Sequence, residues 1–493
     1  MALLEKARNK GQTGLFEPDG EEITGSQVGQ ARKLMSKSRN NQLIELFQAG
    51  FGIHHAGMLR SDRNLVESLF GKGHIKVLCC TATLAWGVNL PAHAVIIKGT
   101  EIYKNGKFED VGILDVLQIF GRAGRPQFDT SGNGTIITKH DKLSHYLSLL
   151  TNQFPIESNF IALLGDNLNA EISLGTVTSV SEAVEWLSYT YLFVRMRKNP
   201  LVYGIKHVEL RDDPTLEMKR REIIIDAARK LDKARMIRFD ERTEILSATD
   251  MGRTASHYYV KYDTIEVFNA EIKEVMNEAD ILATLSKAQE FEQLKSREEE
   301  MEELDQMTRE YCEVPVAGGS ENVYGKVNIL IQTHISRGRP NAFSLVSDSA
   351  YVITNASRIA RALFEIVLRK NWPLLSGRLL RFAKTIERQM WDFENPLRQH
   401  PIIKPEILDK LERRNFTIEK LRELESDEIG RLITHQKAGK DVKRAAHEIP
   451  LVEIDASIQP ITRTILRVRL TITPNFTWND RVHGKGSEPF WIW

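Results

Sequence analysis

Arg122 and Arg125 stand three positions apart in Gln118-Ile119-Phe120-Gly121-Arg122-Ala123-Gly124-Arg125-Pro126. Arginine stays charged at any working pH, and its planar fork of donors fits phosphate oxygens. Gly121 and Gly124 leave room for that fork to reach an anion closely. The chemistry such a pair can do is charge neutralisation on a phosphate; the plain alternative is a basic turn held by surface carboxylates. Upstream, Thr81-Ala82-Thr83-Leu84-Ala85-Trp86-Gly87-Val88-Asn89-Leu90-Pro91 collects Thr81, Thr83, Gly87 and Asn89. Backbone amides and short hydroxyls at a strand end can hold nucleic-acid phosphates; an ordinary strand–helix turn would instead use the threonines as caps. His54 and His55 are read either as nucleic-acid backbone contacts or as packed core histidines. No third ligand accompanies them, so no metal site is expected.

Such residues need a scaffold that gathers strand ends. Residues 52–58 read as a short strand running into a glycine turn, and 61–70 as a helix capped by Ser61 or Asp62. Residues 75–80 and 94–97 read as buried-type strands, 115–120 as a helix and 134–138 as a further strand. Apolar strands alternating with helices imply a parallel sheet covered on both faces. Ligands gather at the C-terminal ends of such strands, where the threonine stretch and the two arginines both fall. Residues 1–50 are polar and mixed, and read as a surface insertion after one short helix.

Beyond about residue 155 the pattern turns helical. Lys219–Lys233 reads as a long basic helix, and 244–252 as a short hairpin, which together suggest a winged helix. From 254 to about 400 nearly all is helix, with the acidic run 298–303 read as a solvated face. The helix over 347–370 places Val352, Ala356, Ile359, Leu363 and Ile366 on one stripe. Tyr351, Arg358 and Arg361 fall on the other side, where cations can hold phosphates and an aromatic ring can stack on a base. A solvated arginine face is the competing reading. Residues 401–450 read as two or three short helices, and 461–473 alternates with period two as a half-exposed strand.

Composition selects no partner: 67 basic and 66 acidic residues leave a net charge of +1, so a nucleic-acid surface must come from local clustering. Cys79, Cys80 and Cys312 form no CxxC pair, and buried free thiols in a reducing compartment are expected. No signal-peptide core is visible and no apolar run approaches ~18 residues, so an intracellular, soluble chain is expected.

With these stretches placed, the chain resembles the superkiller-type branch of superfamily 2 helicases over nearly all of residues 40–493. Gln118–Pro126 is similar to motif VI, Thr81–Ala92 to motif V, and His54–Met58 to the motif IV region. Leu168-Asn169-Ala170-Glu171 resembles the start of that family's winged helix. Within the family the likeness is to the N-terminal cassette of the cointegrator-complex branch. The resemblance implies a multidomain α/β plus α fold. In it, residues 1–155 would be a second RecA-like domain (1–50 partly insertion or loop), 156–260 a winged helix, and 261–400 a helical bundle with ratchet helix 347–370. Residues 401–450 would form a helix-loop-helix, and 451–493 the incomplete start of an immunoglobulin-like β-sandwich.

For function, the resemblance implies part of an ATP-dependent 3′-to-5′ helicase. Arg122 and Arg125 would be arginine fingers, Gln118 would orient water or contact phosphate, and Gly121 and Gly124 would shape that nucleotide site. Gly87 and Asn89 would couple it to the nucleic acid, which Thr81, Thr83, His55, Tyr351, Arg358 and Arg361 would touch. ATP with Mg²⁺, single-stranded RNA or DNA, other cointegrator-complex subunits and ribosomes are the implied ligands and partners. DNA repair and ribosome quality control are the implied settings, and nucleus and cytosol the implied locations. The first motor domain's signatures, G-x-x-x-x-G-K-[ST] and D-E-x-H, do not occur in the sequence. The chain is therefore expected to be inactive as an ATPase alone, either as a piece of the motor or as a non-catalytic nucleic-acid-binding or assembly module.

Overall fold

The computed structural model describes residues 2–17, 25–36, 38, 40–55, 58, 60–81, 90–104, 107–124, 129–151, 156–400 and 402–486. Of the expected site residues, Thr83, Gly87, Asn89 and Arg125 lie outside that set. The chain divides into two compact units, one of residues 1–266, 288–300 and 340–351, the other of 267–287, 301–339 and 352–493.

The first unit opens with helices Ala2–Asn9, Gly25–Met35 and Asn41–Gln48. This corrects the reading of 1–50 as a surface insertion after one helix. The apolar residues are sparse but fall on single faces: Ala31, Met35, Leu43 and Phe47 join Met58, Val66, Leu69 and Ile75 in one core, and Leu4 and Ala7 pack with Leu46 and Phe51 in another. Strand β1 (Phe51–His54) pairs in parallel with β2 (Val77–Cys80), and the helix Arg60–Gly71 connects them. Strand β3 (Ala94–Lys98) pairs in parallel with β6 (Asn133–Ile137). Between them the sequence reading missed an antiparallel hairpin, β4 (Glu101–Lys104) with β5 (Lys107–Asp110). The parallel pairing is as expected; the cover on both faces is not, since Ile96 and Ile137 stay exposed among the described residues. Cys79 and Cys80 are exposed rather than buried, because they sit at the open end of β2.

The winged-helix portion packs helices Leu164–Leu174, Val180–Ser188 and Glu217–Lys233 around Leu168, Ile172, Leu187, Ile224, Ala228 and Leu231. Ser179 caps the second of these by accepting from Glu182 N–H, as N-cap serines do. The wing is strand β7 (Ile237–Asp240) paired with β8 (Ile245–Ala248). The expected hairpin over 244–252 was therefore placed one element late: Thr249 accepts from Gly252 N–H and starts a helix, Asp250–His257. Glu300, within the run read as solvated, is buried and paired with Arg297.

The second unit is helical. Val323–Ile335 is buried on nearly every side, and Pro373–Arg388 buries Leu375, Leu379, Phe382, Ala383 and Ile386. The module expected over 401–450 has four helices rather than two or three: Pro405–Arg413, Ile418–Glu423, Ser426–Leu432 and Gln436–Glu448. They share a core of Ile407, Leu411, Leu421, Ile429, Ile433, Val442 and Ala446. Strands β9 (Val452–Pro460) and β10 (Leu466–Pro474) follow as an antiparallel hairpin. Period-two alternation sets Ile454, Ile458, Leu466, Val468, Leu470 and Ile472 on one face, and Glu453, Asp455, Arg467 and Arg469 on the other. The apolar face is exposed, not half-buried as expected.

Candidate nucleotide and nucleic-acid interface

The helix Ile113–Phe120 delivers the arginine loop. Its apolar side anchors through Val116, which packs with Ile97, Val111 and Tyr146. The last turn closes with Gly121 N–H donating to Leu117 O at 2.8 Å and Arg122 N–H to Ile119 O at 3.1 Å. Gln118 is exposed on that turn, and Arg122 is half-buried just past it. The chain then meets the segment that follows the threonine stretch. Ala92 N–H donates to Arg122 O at 2.9 Å, and Gly124 N–H donates to Ala92 O at 2.7 Å, forming a parallel bridge between Ala92 and Ala123.

Three glycines hold this geometry. Gly124 has φ +92°, a left-handed conformation that other residues adopt at a cost. Gly132 lies so close to the loop that a Cβ would stand 2.5 Å from Ala123 C and Gly124 N. Gly134 likewise abuts the Phe120 ring, which a Cβ would meet at 2.9 Å. Neither Gly132 nor Gly134 was singled out in the sequence. Two glycines leading into a strand were the available signal, because strand glycine marks close approach of backbone.

A second group forms where β1 and β2 end. Thr81 N–H donates to His54 O at 3.2 Å, so the threonine stretch starts beside the two histidines. His54 takes the packed-core reading: it is buried, with Nε2 2.8 Å from Glu67 Oε1. His55 is half-buried, and its pKa is pushed down by burial and, secondarily, by the charges of His54 and Arg63. A neutral imidazole is the form that this environment favours.

The candidate ratchet helix runs Phe343–Leu368. Its predicted stripe is buried throughout: Val352, Ala356 and Ile359 are 0% exposed, with Leu363 and Ile366 close behind. Ala360, Ala362, Phe364 and Val367 are buried too, so the arginines do not lie on an open solvated face. Arg358 donates to Asn355 Oδ1 at 2.6 Å, and Arg361 reaches both Glu387 carboxylate oxygens at 3.3 Å. The two arginines share the second unit, one turn apart. Tyr351 belongs to the first unit, where its hydroxyl donates to Glu290 O at 2.7 Å. Asn355 and Glu387, which set the two guanidinium positions, carried no sequence signal.

Among the described residues no group of three or more His, Cys, Asp or Glu is placed to hold a metal ion, and no helix is long and apolar enough to cross a membrane. Gly439, in the only Gly-Lys-Asp of the sequence, is a helix-packing residue: a Cβ there would collide with Ser426 O and stand 2.7 Å from Gly430 N.

Comparison with known proteins covers the chain in three parts. The helicase conserved C-terminal domain matches residues 23–127, a winged helix-turn-helix domain 157–233, and the Sec63 Brl domain 248–493. The chain is 62% identical over 496 residues to activating signal cointegrator 1 complex subunit 3 of Gallus gallus, covering 100% of this chain and 22% of the relative. The same subunit of Homo sapiens is 60% identical over 495 residues, again 100% of this chain and 22% of the relative. The DExH-box ATP-dependent RNA helicase DExH14 of Arabidopsis thaliana is 52% identical over 493 residues, 99% of this chain and 23% of the relative. The chain thus spans about a fifth of the length of the curated relatives it matches. Helicase C-terminal, winged-helix and Sec63 Brl portions in this order, with whole-chain identity to that subunit, place the chain in the activating signal cointegrator 1 complex subunit 3 family of superkiller-type helicases.

Proposed function

We propose that this chain supplies the second motor domain and the strand-guiding modules of an ATP-dependent 3′-to-5′ helicase. The observation that carries the reading is the Ala92–Ala123 bridge, which fastens the arginine loop to the end of the threonine stretch. Arg122, with Arg125 beyond it, offers donors to the γ-phosphate of ATP held on another RecA-like domain. Gln118 contacts that phosphate or its attacking water. The donors here are guanidinium and amide groups, which fit phosphate oxygens. They offer nothing to Mg²⁺, which belongs with the domain carrying the phosphate loop. ATP supplies the energy when bound there; this chain's residues stabilise charge and sense it.

Thr81 and Thr83 hold nucleic-acid phosphates, with His55 beside them, and Gly87 and Asn89 relay that contact to the nucleotide side. Arg358 and Arg361 hold the strand further along. In the Arg361–Glu387 pair the carboxylate is the more open partner, and a phosphate would compete with it for the guanidinium. The relatives' name includes a complex subunit, and we extend assembly with further subunits to this chain. By itself the chain binds single-stranded nucleic acid and hydrolyses no ATP.

The test is Arg122→Ala in a protein that carries both motor domains. Nucleic-acid-stimulated hydrolysis falls by roughly 10³-fold or more, the range for loss of an arginine finger, while the thermal midpoint and nucleic-acid affinity hold. Stimulated hydrolysis at the parental rate overturns the assignment.

A further inference from the structure

The winged-helix portion carries a second feature that phosphate chemistry does not use. A cavity of about 400 Å³ opens beside the helix Tyr191–Lys198, lined by Phe193, Val194, Arg197, Lys198, Leu210 and Pro214. Its walls are aliphatic and aromatic and its rim is cationic. The Phe193 ring has two guanidinium neighbours, Arg220 at 4.7 Å and Arg197 at 5.7 Å from its centroid. Arg220 is itself buried; it donates to Val184 O, and its Nε has no hydrogen-bond partner.

The positive charge is concentrated on one wall. Residues 186–208 contain Arg195, Arg197, Lys198 and Lys206 and no Asp or Glu, while Glu209, Asp212 and Asp213 stand beside Leu210 and Pro214 on the other. Asp213 and Glu217 offset the charge of the buried Arg220, and Asp212 pairs with Arg211. The remaining acids bond to groups other than Arg197 and Lys198. Glu157 takes two bonds from Arg195. Glu209 accepts from Lys206 N–H, and Asp213 accepts from Met218 N–H and the Thr215 hydroxyl. Among the described residues no carboxylate pairs with Arg197 or Lys198. In the cavity wall itself Val194 is exposed, and Leu201, Val202 and Val208, close by in sequence, are each more than half exposed. An apolar cavity with exposed apolar residues in its wall is a candidate interaction surface.

The geometry points to a docking site for an acidic segment of a partner protein, whose aliphatic or aromatic side chain fills the cavity while flanking carboxylates meet Arg197 and Lys198. A volume of about 400 Å³ takes one or two large side chains. Charge complementarity selects the sign of the partner. The aliphatic walls select peptide over nucleic acid: bases bind by stacking on open aromatic faces, and the Phe193 ring is occupied by guanidinium groups. None of its residues is among those proposed to hold phosphate, so its failure and that of the motor reading are distinguishable.

The test uses the full chain and fluorescence anisotropy. The probe is a labelled acidic decapeptide with one Leu and one Phe among Asp and Glu residues. Controls are the same peptide with Asn and Gln for the acids, and an unlabelled single-stranded oligonucleotide. Arg197→Glu with Lys198→Glu, and separately Val194→Asp, weaken peptide binding at least about tenfold, as expected for lost charge pairing and a lost apolar wall. These side chains are exposed, so circular dichroism and the thermal midpoint are retained. Equal affinity of parent and variants overturns the proposal, as does equal binding of the acid-free peptide. Displacement of the peptide by the oligonucleotide, with oligonucleotide affinity lost in the charge variant, overturns it in favour of nucleic acid. Self-association of the parent that the charge variant abolishes overturns it in favour of a second copy.

Discussion

Ala92 and Arg122 share a main-chain hydrogen bond of 2.9 Å, from the amide of the first to the carbonyl of the second. Many residues separate them in sequence, and they belong to the two stretches whose chemistry was legible from the start. The bond makes the position of the arginine depend on the segment that follows the threonines. The nucleic-acid contact and the phosphate contact proposed for these two stretches would thereby share a backbone link rather than a side-chain relay.

The link predicts a sensitivity at a residue with no chemistry of its own. Gly132→Ala puts a methyl group 2.5 Å from Ala123 C and Gly124 N, both backbone atoms. The loop must move. Overpacking of this kind costs about 1–3 kcal/mol, measurable as a lower urea midpoint. In a protein with both motor domains, stimulated ATP hydrolysis falls by about 10²-fold, the scale for a misplacement near 1 Å. Parental hydrolysis with a lowered urea midpoint would separate fold from function here and refute the link.

Arg358→Ala with Arg361→Ala tests the strand-guiding helix. Arg358 bonds Asn355 and Arg361 bonds Glu387, so the thermal midpoint of the double variant is measured alongside binding to separate lost stability from lost contact. Affinity for a single strand drops, and the log–log salt slope shrinks by about 1.4, the contribution of two phosphate contacts on single strands. An unchanged slope in a salt titration of the double variant counts against phosphate contacts. Glu387→Ala releases Arg361 and is expected to strengthen binding.

Glu157 predicts an acid transition. It accepts from Arg195 Nη2 at 2.7 Å, Asn199 Nδ2 at 2.8 Å and the Tyr203 hydroxyl at 2.7 Å. The Arg195 bond above all holds its pKa down at about 2, against an ordinary value of 4.5. A depressed carboxylate pKa contributes stability that is complete above the unfolded value and is lost as pH falls toward the folded one. The thermal midpoint of the winged-helix portion therefore declines from pH about 4.5 down to about 2. Glu157→Gln lowers the midpoint at neutral pH and flattens that decline; an equally steep decline in the variant would assign it to other carboxylates.

Gly439→Ala tests close helix contact in the second unit. The added methyl meets Ser426 O and Gly430 N, backbone of the neighbouring Ser426–Leu432 helix. Destabilisation of about 1–3 kcal/mol is expected by overpacking, despite alanine being the better helix former. Calorimetry showing a gain in stability would mean that the two helices separate freely.

Legibility followed the physical range of each signal. Periodicity placed the helix Glu217–Lys233 and the buried stripe of Phe343–Leu368, because a helix face repeats within a few residues. It failed for residues 25–48, where few apolar positions are diluted by many polar ones and only their common face shows their use. It misplaced the wing, because Ile237–Asp240 is a strand of four residues, and only its pairing with Ile245–Ala248 identifies it. Arg122 and Gln118 stood out through their neighbours in sequence. Gly132, Asn355 and Glu387 could not, since their roles exist only in contacts with distant segments.

The β9–β10 hairpin, with its apolar face on one side and its Arg467 and Arg469 on the other, pairs Val468 with Ile458 and Leu470 with Ala456. Side chains alternate with period two, so one extra residue within β10 would turn every later side chain through the sheet. Single-codon insertions or deletions in that strand would exchange its greasy and charged sides, whereas paired ones would preserve them. Length variation among natural versions of this segment should therefore come in even steps, or stay within the turn at 461–465.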